Sequence, residues 1–251
     1  MLRRLRPAWG VVPIVCFVGI WEAAARLGLV PGKMLFPAFS DVAAEFFDLL
    51  VSGVLAESFL RKLLRVLLGF STGSVAGLLV GVLIGWKQVV DRSLSPIISL
   101  MYPIPALGWL PVLMLWMGIT EVLPVAIIFI SSFFPVCYNT STGVKNVART
   151  HIWAARSLGA SELVILLTVI VPLALPNIFT GLRLVAGMAW RVVIAAEMVA
   201  IPTGIGALLM RAESLIRIDV IFVCLMVLSL MCFTFEQCFH YLERALTAKW
   251  R

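Results

Sequence analysis

The chain has 251 residues, of which 62% are hydrophobic and 13% charged, with a mean hydropathy of +1.07. A soluble domain usually carries about 25% charge, which it presents to water, so this composition excludes a soluble globular protein and makes lipid the solvent. The net charge of +7 is what Lys- and Arg-rich cytoplasmic loops give a membrane protein, so it points to no nucleic-acid partner.

At roughly 20 residues per span, the length holds five to seven transmembrane helices. The opening run, LRRLRPAWGVVPIVCFVGIW, has the charged and apolar regions of a signal peptide, with small residues at Ala23, Ala24 and Ala25. The apolar character of everything downstream favours an uncleaved first span over residues 8–25. Between positions 41 and 52, polar residues recur at 41, 45, 48 and 52 around Phe46, Leu49 and Leu50. That is a helical period on a segment too short to cross, so it is expected to lie along the outer interface.

The second span, 62–86, carries Gly69, Gly73, Gly77, Gly81 and Gly85. Four residues advance a helix by about 400°, so the glycines form one slowly winding stripe, which reads as tight helix packing or as a hinge or pore lining. The third span, 94–118, holds Pro96, Pro103, Pro105 and Pro111 beside Tyr102, Trp109 and Trp116. Proline frees backbone carbonyls and bends a helix, and lipid tolerates this only beside a neighbour or a cavity. This broken helix and its aromatics form a cavity wall or serve as packing and interface anchors. The fourth span, 121–142, offers Ser131, Ser132 and Asn139, as pathway candidates or as hydrogen-bonding glue between helices.

Residues 163–182 are uncharged, but Pro172 and Pro176 interrupt them and a polar helical stretch, 150–162, runs into them. We expect a surface helix ending near Val171, then a fifth span over 176–199. Ionisable groups inside a membrane are costly and each is a functional candidate. Arg191, deep in the fifth span, either grips an anionic substrate through its two-pronged guanidinium or pairs with an acid on another helix. Glu197, near the outer end, has a structural or a gating role, and Arg183 snorkels to the cytoplasmic interface. A sixth span covers 218–241.

With the N-terminus inside, 11 Lys and Arg fall on the cytoplasmic side and 6 outside. Six spans with both termini cytoplasmic satisfy the positive-inside rule, although the RKLLR run at 61–65 sits awkwardly for it. The five cysteines, at 16, 137, 224, 232 and 238, lie in apolar runs without C-x-x-C spacing, and His151 and His240 are far apart. No disulfide framework, metal site or catalytic constellation is expected. Gly32-Lys33 is followed by Met34 and lacks the earlier glycine of a phosphate-cradling loop, so the chain binds no ATP by that route.

The most informative stretch is RTHIWAARSLGASELVILLTVIVP, within a cytoplasmic loop at 145–171. Thr150 can cap a short helix that Gly159 ends, and Ser161 can cap the next. Small Ala154 and Ala155 let another protein approach closely, so the helix–glycine–helix elbow reads as a docking knob. The run W-A-A-x-x-x-G-(nine residues)-V-x-V-P at 153–172 resembles the E-A-A-x-x-x-G loop of binding-protein-dependent ABC importer permeases. Trp153 stands where that family has an acid.

LSPIISLMYPIPALGWLPVLMLWMGI, SLGASE, LPNIFTGLRL, AAEM and GLVPGKMLFPAFSDV extend the resemblance to the nitrate, taurine and alkanesulfonate branch. It implies an all-α, six-span, type I (MetI-like) permease in a bacterial or archaeal cytoplasmic membrane, working as a pair. It also implies two ATPase subunits holding ATP and magnesium, and an external solute-binding protein. Trp153, Ala154, Ala155, Gly159, Ala160, Val169, Val171 and Pro172 would form the coupling loop that docks the ATPase. A secondary transporter or channel would instead need inverted repeats and buried carboxylates, and a membrane enzyme a clustered His, Asp or Cys set; neither pattern is present.

Overall fold

A computed structural model describes residues 6–29 and 35–247. Gly32, Lys33 and the terminal cations Arg3, Arg4, Lys249 and Arg251 lie outside the described residues. The described chain is all-α: α1 (Arg6–Arg26), α2 (Phe39–Val51), α3 (Val54–Trp86), α4 (Gln88–Met101), α5 (Leu110–Met117), α6 (Val122–Lys145), α7 (Arg149–Ser157), α8 (Glu162–Ile165), α9 (Val171–Ala200), α10 (Ile205–Ser214) and α11 (Ile218–Thr247). A 3₁₀ turn (Ala106–Trp109) precedes α5, and a π-turn (Leu166–Ile170) joins α8 to α9.

The centre of the bundle is the glycine stripe of α3 laid against the backbone of α6. A Cβ on Gly69, Gly73, Gly77, Gly81 or Gly85 would meet the carbonyl oxygens of Val125, Phe129, Phe133, Cys137 and Ser141 in turn, at 2.6–3.1 Å. The offset is 56 positions throughout, so the two helices run parallel and in register over five steps. Only glycine permits this approach, which places Cα–H groups of one helix on the carbonyls of the other. The stripe is packed against α6 at all five glycines.

On its other side α6 meets α9 antiparallel: Gly181 faces Asn139, and Gly143 faces Asn177. Helix α11 runs antiparallel to α9, with Trp190 edge-on to Phe235 and Glu236 beside Gly187. The end of α1 meets the start of α11 through Trp21 and Phe222, ring centroids 5.0 Å apart. Parallel α3 and α6 oblige the chain between them to return the length of the bundle, which α4 and α5 do with a bend of 91°. Pro103 and Pro105 supply no N–H at this bend, and Ile104 turns to the Met101 carbonyl at 3.1 Å.

Among the described residues, four helical runs, Val54–Trp86, Val122–Lys145, Glu162–Ala200 and Ile218–Tyr241, are long and apolar enough to cross a membrane, and the bent pair, counted as one span, makes a fifth. Helix α1 has 21 residues, about 31 Å of helix, and the alternating directions are consistent with six crossings. Leu68, Leu79, Leu115 and Phe233 stand exposed on the outside, where lipid tails are as apolar as they are. Hydroxyls on this surface are satisfied within their own helix, as in Thr72 to Leu68 O (2.6 Å) and Thr234 to Leu230 O (2.7 Å).

One expected boundary differs. The surface helix does not end near Val171: Glu162–Ala200 is one helical run of 39 residues. The π-turn resets the hydrogen-bond ladder just ahead of Pro172, so that proline falls in the first turn of α9, where its missing N–H has no partner to lose.

Candidate functional site

The elbow begins at α7. Thr150 lies inside this helix rather than capping it; Ala148 is at the cap position and makes no side-chain bond, and Ser161, at the cap of α8, makes none either. The C-terminus is where the local sequence decides the geometry. Gly159 has φ +79°, its N–H donates to the Arg156 carbonyl at 2.9 Å, and the Ala160 N–H reaches back to Ala155 at 3.1 Å. These are the two bonds of a Schellman ending, which needs a left-handed residue that glycine adopts without strain.

Ile152, Ala155, Ala160 and Val169 pack on a small core of Val144, Val147, Ile165, Ile170 and Ala174. The opposite face is open: Trp153 is 59% and Leu158 89% exposed, with Ala154, Arg156 and Gly159 also exposed. Arg156 reaches across the bend to Glu162 at 2.6 Å. The motif residues thus divide into an inward half that anchors the elbow and an outward half that offers a knob. Val171 and Pro172, half-buried, begin the long helix into which the elbow runs.

At the far end of that helix lies a charged cluster that sequence reasoning missed. Lys62 and Arg65, three apart on α3, turn inward to Glu197 on α9: Arg65 Nη1 is 2.9 Å from Glu197 Oε1, and Lys62 Nζ is 3.6 Å from Oε2. All three are buried. Arg65 Nε also donates to Glu121 Oε2 at 2.9 Å and Nη1 to the Thr203 carbonyl at 3.1 Å. Thr203 Oγ1 accepts from Arg65 Nη2 at 2.6 Å and donates to Glu121 Oε1 at 3.0 Å. The Gly206 N–H, at the start of α10, donates to Glu197 Oε2 at 3.0 Å.

Buried charges are costly unless paired: Arg65 is hydrogen-bonded to buried Glu197 and to exposed Glu121, while Lys62 Nζ is ion-paired with Glu197 but makes no hydrogen bond. The awkward RKLLR run is thereby resolved: Arg61 stays outside on Glu57 at 2.9 Å, while its neighbours turn in. The usable signal is the i, i+3 spacing of two cations at the head of a run, 62–86, that holds no other charge.

The family whose members are described as binding-protein-dependent transport system inner membrane components matches residues 73–248. The chain belongs to this family. The permease is 38% identical over 231 residues to a putative ABC transporter permease protein of Methanocaldococcus jannaschii, covering 90% of this chain and 86% of that one. It is 31% identical to the taurine transport system permease protein of Escherichia coli K12 (98% and 94% covered) and 33% identical to the nitrate import permease protein of Leptolyngbya laminosa (82% and 74%). A solved structure of the MetNI methionine ABC transporter, inward facing, shares the fold at TM-score 0.62 and 18% identity, covering 79% of this chain and 96% of that chain. The permease is therefore an integral membrane transport subunit of an ABC importer, with the MetI-like fold, and not an enzyme.

Within the permease, the pathway candidates fall into separate places. Ser131 and Asn139 spend their donors on their own helix, bonding the carbonyls of Ile128 (2.9 Å) and Pro135 (2.8 Å). Trp109 packs between α5 and α6 with its indole N–H buried and unbonded, and Trp116 is 75% exposed at the surface. Tyr102, at the bend, stacks flat on Tyr138 of α6, centroids 4.9 Å apart and planes within 5°. Tyr138 was not foreseen, because stacking across helices leaves no local pattern.

Arg191 alone lines a groove of about 640 Å³ between α9, α10 and α11, together with Ser229, Cys232 and Glu236. Glu197 does not line it. A larger groove of about 800 Å³, bounded by Phe46, Phe59, Leu63, Val227 and Phe235, contains no charged side chain and suits hydrocarbon.

Proposed function

We propose that this permease imports a small anion, a sulfonate such as taurine or an oxyanion such as nitrate, across the cytoplasmic membrane of a bacterium or archaeon. Two copies form the pathway, and an external binding protein delivers the solute near residues 200–217 and 29–57. Two ATPase subunits, which hold the ATP and magnesium, dock on the α7–α8 elbow from the cytoplasm, where both termini also lie. ATP-driven closure of the ATPases moves the elbow, and alternating access follows from the shift it imposes on the long helix.

The observation that carries this reading is the elbow itself. Its inner face is fixed to the bundle through Ile152, Ala155 and Ala160, its outer face is unpartnered, and it continues into one 39-residue helix. At 1.5 Å per residue that helix is roughly 58 Å long, so a displacement at the elbow is delivered to the opposite end of the bundle. The anionic substrate class is supported by the taurine and nitrate relatives and by the exposed Arg191 guanidinium in its groove.

The test is co-purification of the ATPase with wild type, Gly159→Ala and Gly159→Trp, all checked for equal membrane insertion. A Cβ at Gly159 meets nothing within 4 Å in this chain, and both substitutions share the cost of a positive φ. Only the tryptophan adds bulk where the partner would sit. Retention by wild type and Gly159→Ala with loss from Gly159→Trp is the expected result. Retention by all three sinks the docking site, and absence of any ATPase from wild type sinks the importer assembly.

A further inference from the structure

The charged cluster does more than neutralise buried groups, because of what it joins. It ties α3 (Lys62, Arg65), the start of α6 (Glu121), the end of α9 (Glu197) and the turn into α10 (Thr203, Gly206) at one end of the bundle. The network also grades from outside to inside. Arg61 and Glu121, 4.0 Å apart, have side chains 48% and 56% exposed, whereas Arg65, Glu197 and Lys62 are buried. Arg65 is the junction, since its guanidinium holds Glu121, Glu197 and the carbonyl and hydroxyl oxygens of Thr203 at once.

The turn it holds is tightly specified. Gly204 has φ +103°, and a Cβ there would lie 2.5 Å from Glu197 Oε1 and 2.9 Å from Arg65 Nη1. Arg211 of α10 clamps the same turn by donating to the Pro202 carbonyl at 2.7 Å. A push on the 201–206 turn or on Glu121 therefore cannot be absorbed locally; it reaches Arg65 and then Glu197 through charge-assisted bonds. Glu197 sits on the continuous Glu162–Ala200 helix whose other end is the elbow.

We propose that Arg65 is a positioning residue that transmits the seating of the binding protein to the ATPases, through the Glu121–Arg65–Glu197 chain of ion pairs and the α8–α9 rod. The inference rests on the importer reading above, which places this end of the bundle outside. A cluster that only stabilised the fold would need no exposed rim and no bonds to a turn whose tip, Pro202 and Thr203, reaches the surface. This one has both, and its innermost carboxylate lies on the one helix that runs directly from the elbow.

The test uses the whole transporter in lipid nanodiscs with its ATPase and binding protein, the latter charged with whichever of taurine, an alkanesulfonate or nitrate it retains. Substituting buried Arg65 removes the hydrogen-bonded partner of Glu197 and the counter-charge of Glu121 and can prevent folding, so the rim is altered instead, by Glu121→Gln. ATP hydrolysis is measured with and without loaded binding protein, and binding-protein affinity is measured in parallel. Glu121→Gln is expected to keep the basal rate and the affinity and to lose stimulation on the order of tenfold, within the usual span of coupling between sites.

Unchanged stimulation overturns the proposal. So does stimulation lost only in step with affinity, because the rim would then be a contact and not a relay. A wild-type transporter that shows no stimulation at all overturns the importer reading itself, which separates the two failures.

Discussion

Replacing Gly77 with alanine sets two known effects against each other. In an ordinary helix the change is favourable by roughly 1 kcal/mol, because glycine is the poorer helix former. Here the new Cβ would lie 2.6 Å from the Phe133 carbonyl oxygen, 3.1 Å from the Cys137 nitrogen and 3.1 Å from the Val136 Cβ. The first two obstacles are backbone atoms of a helix packed on both sides, so neither can rotate away.

Restoring an ordinary contact requires α3 to withdraw by about 0.8 Å, and a gap of that size forfeits a quarter to a half of each dispersion contact it opens. Because the register is shared, the loss spreads to the steps at Gly73 and Gly81. Overpacking of this kind costs about 1–3 kcal/mol, which exceeds the propensity gain. The expected net effect is a loss of up to about 2 kcal/mol. Gly73→Ala/Gly77→Ala should lose less than the two single losses added, since one withdrawal relieves both clashes.

The assay is unfolding from mild detergent by added SDS, followed by tryptophan fluorescence. Gly19→Ala is the control, as its Cβ meets nothing within 4 Å and it should be neutral or slightly stabilising. If Gly77→Ala proves as stable as wild type, the close α3–α6 approach is not what holds the bundle centre, and the reasoning fails.

Glu197→Gln leaves Lys62 and Arg65 buried with only Glu121 to balance them, and should cost about 3 kcal/mol in the same assay. Adding Lys62→Met should restore much of that loss, and a double variant no better than the single would argue against the pairing. Leu158→Asp places a charge on the exposed knob and should weaken ATPase binding at least tenfold, about 1.4 kcal/mol, with permease stability within about 0.5 kcal/mol of wild type; titration of purified ATPase onto nanodisc-held permease reads both. Arg191→Ala should abolish anion uptake while the complex, its basal ATP hydrolysis and its thermal stability persist. Equal uptake by Arg191→Ala, measured with radiolabelled taurine or nitrate, would assign the Arg191 groove to packing alone.

Much of this was legible because lipid imposes it. A run of apolar residues 20 or more long has to be a helix that satisfies its own backbone, so the spans, the broken third helix with its four prolines and the glycine at the head of the elbow all follow from the order of residues. The A-A-x-x-x-G pattern, the positive φ of Gly159 and the class of transporter belong to the same local information. Pro172 misled for the same reason: a proline in a polar-to-apolar transition reads as an end, and a π-turn that accommodates it has no sequence signature of its own.

What the tertiary structure decided is partnership. Five glycines at intervals of four say that some helix comes close, but a bare backbone stripe fits any other backbone; that it is α6, parallel and offset by 56 positions, depends on the whole bundle. Likewise, Glu197 by itself only demands a counter-charge. Arg191, six positions away on the same helix, faces elsewhere, and the fold supplies Lys62 and Arg65 from a helix more than a hundred residues earlier. Composition tells a charge in lipid that it must pair, and only the folded arrangement of helices determines with whom.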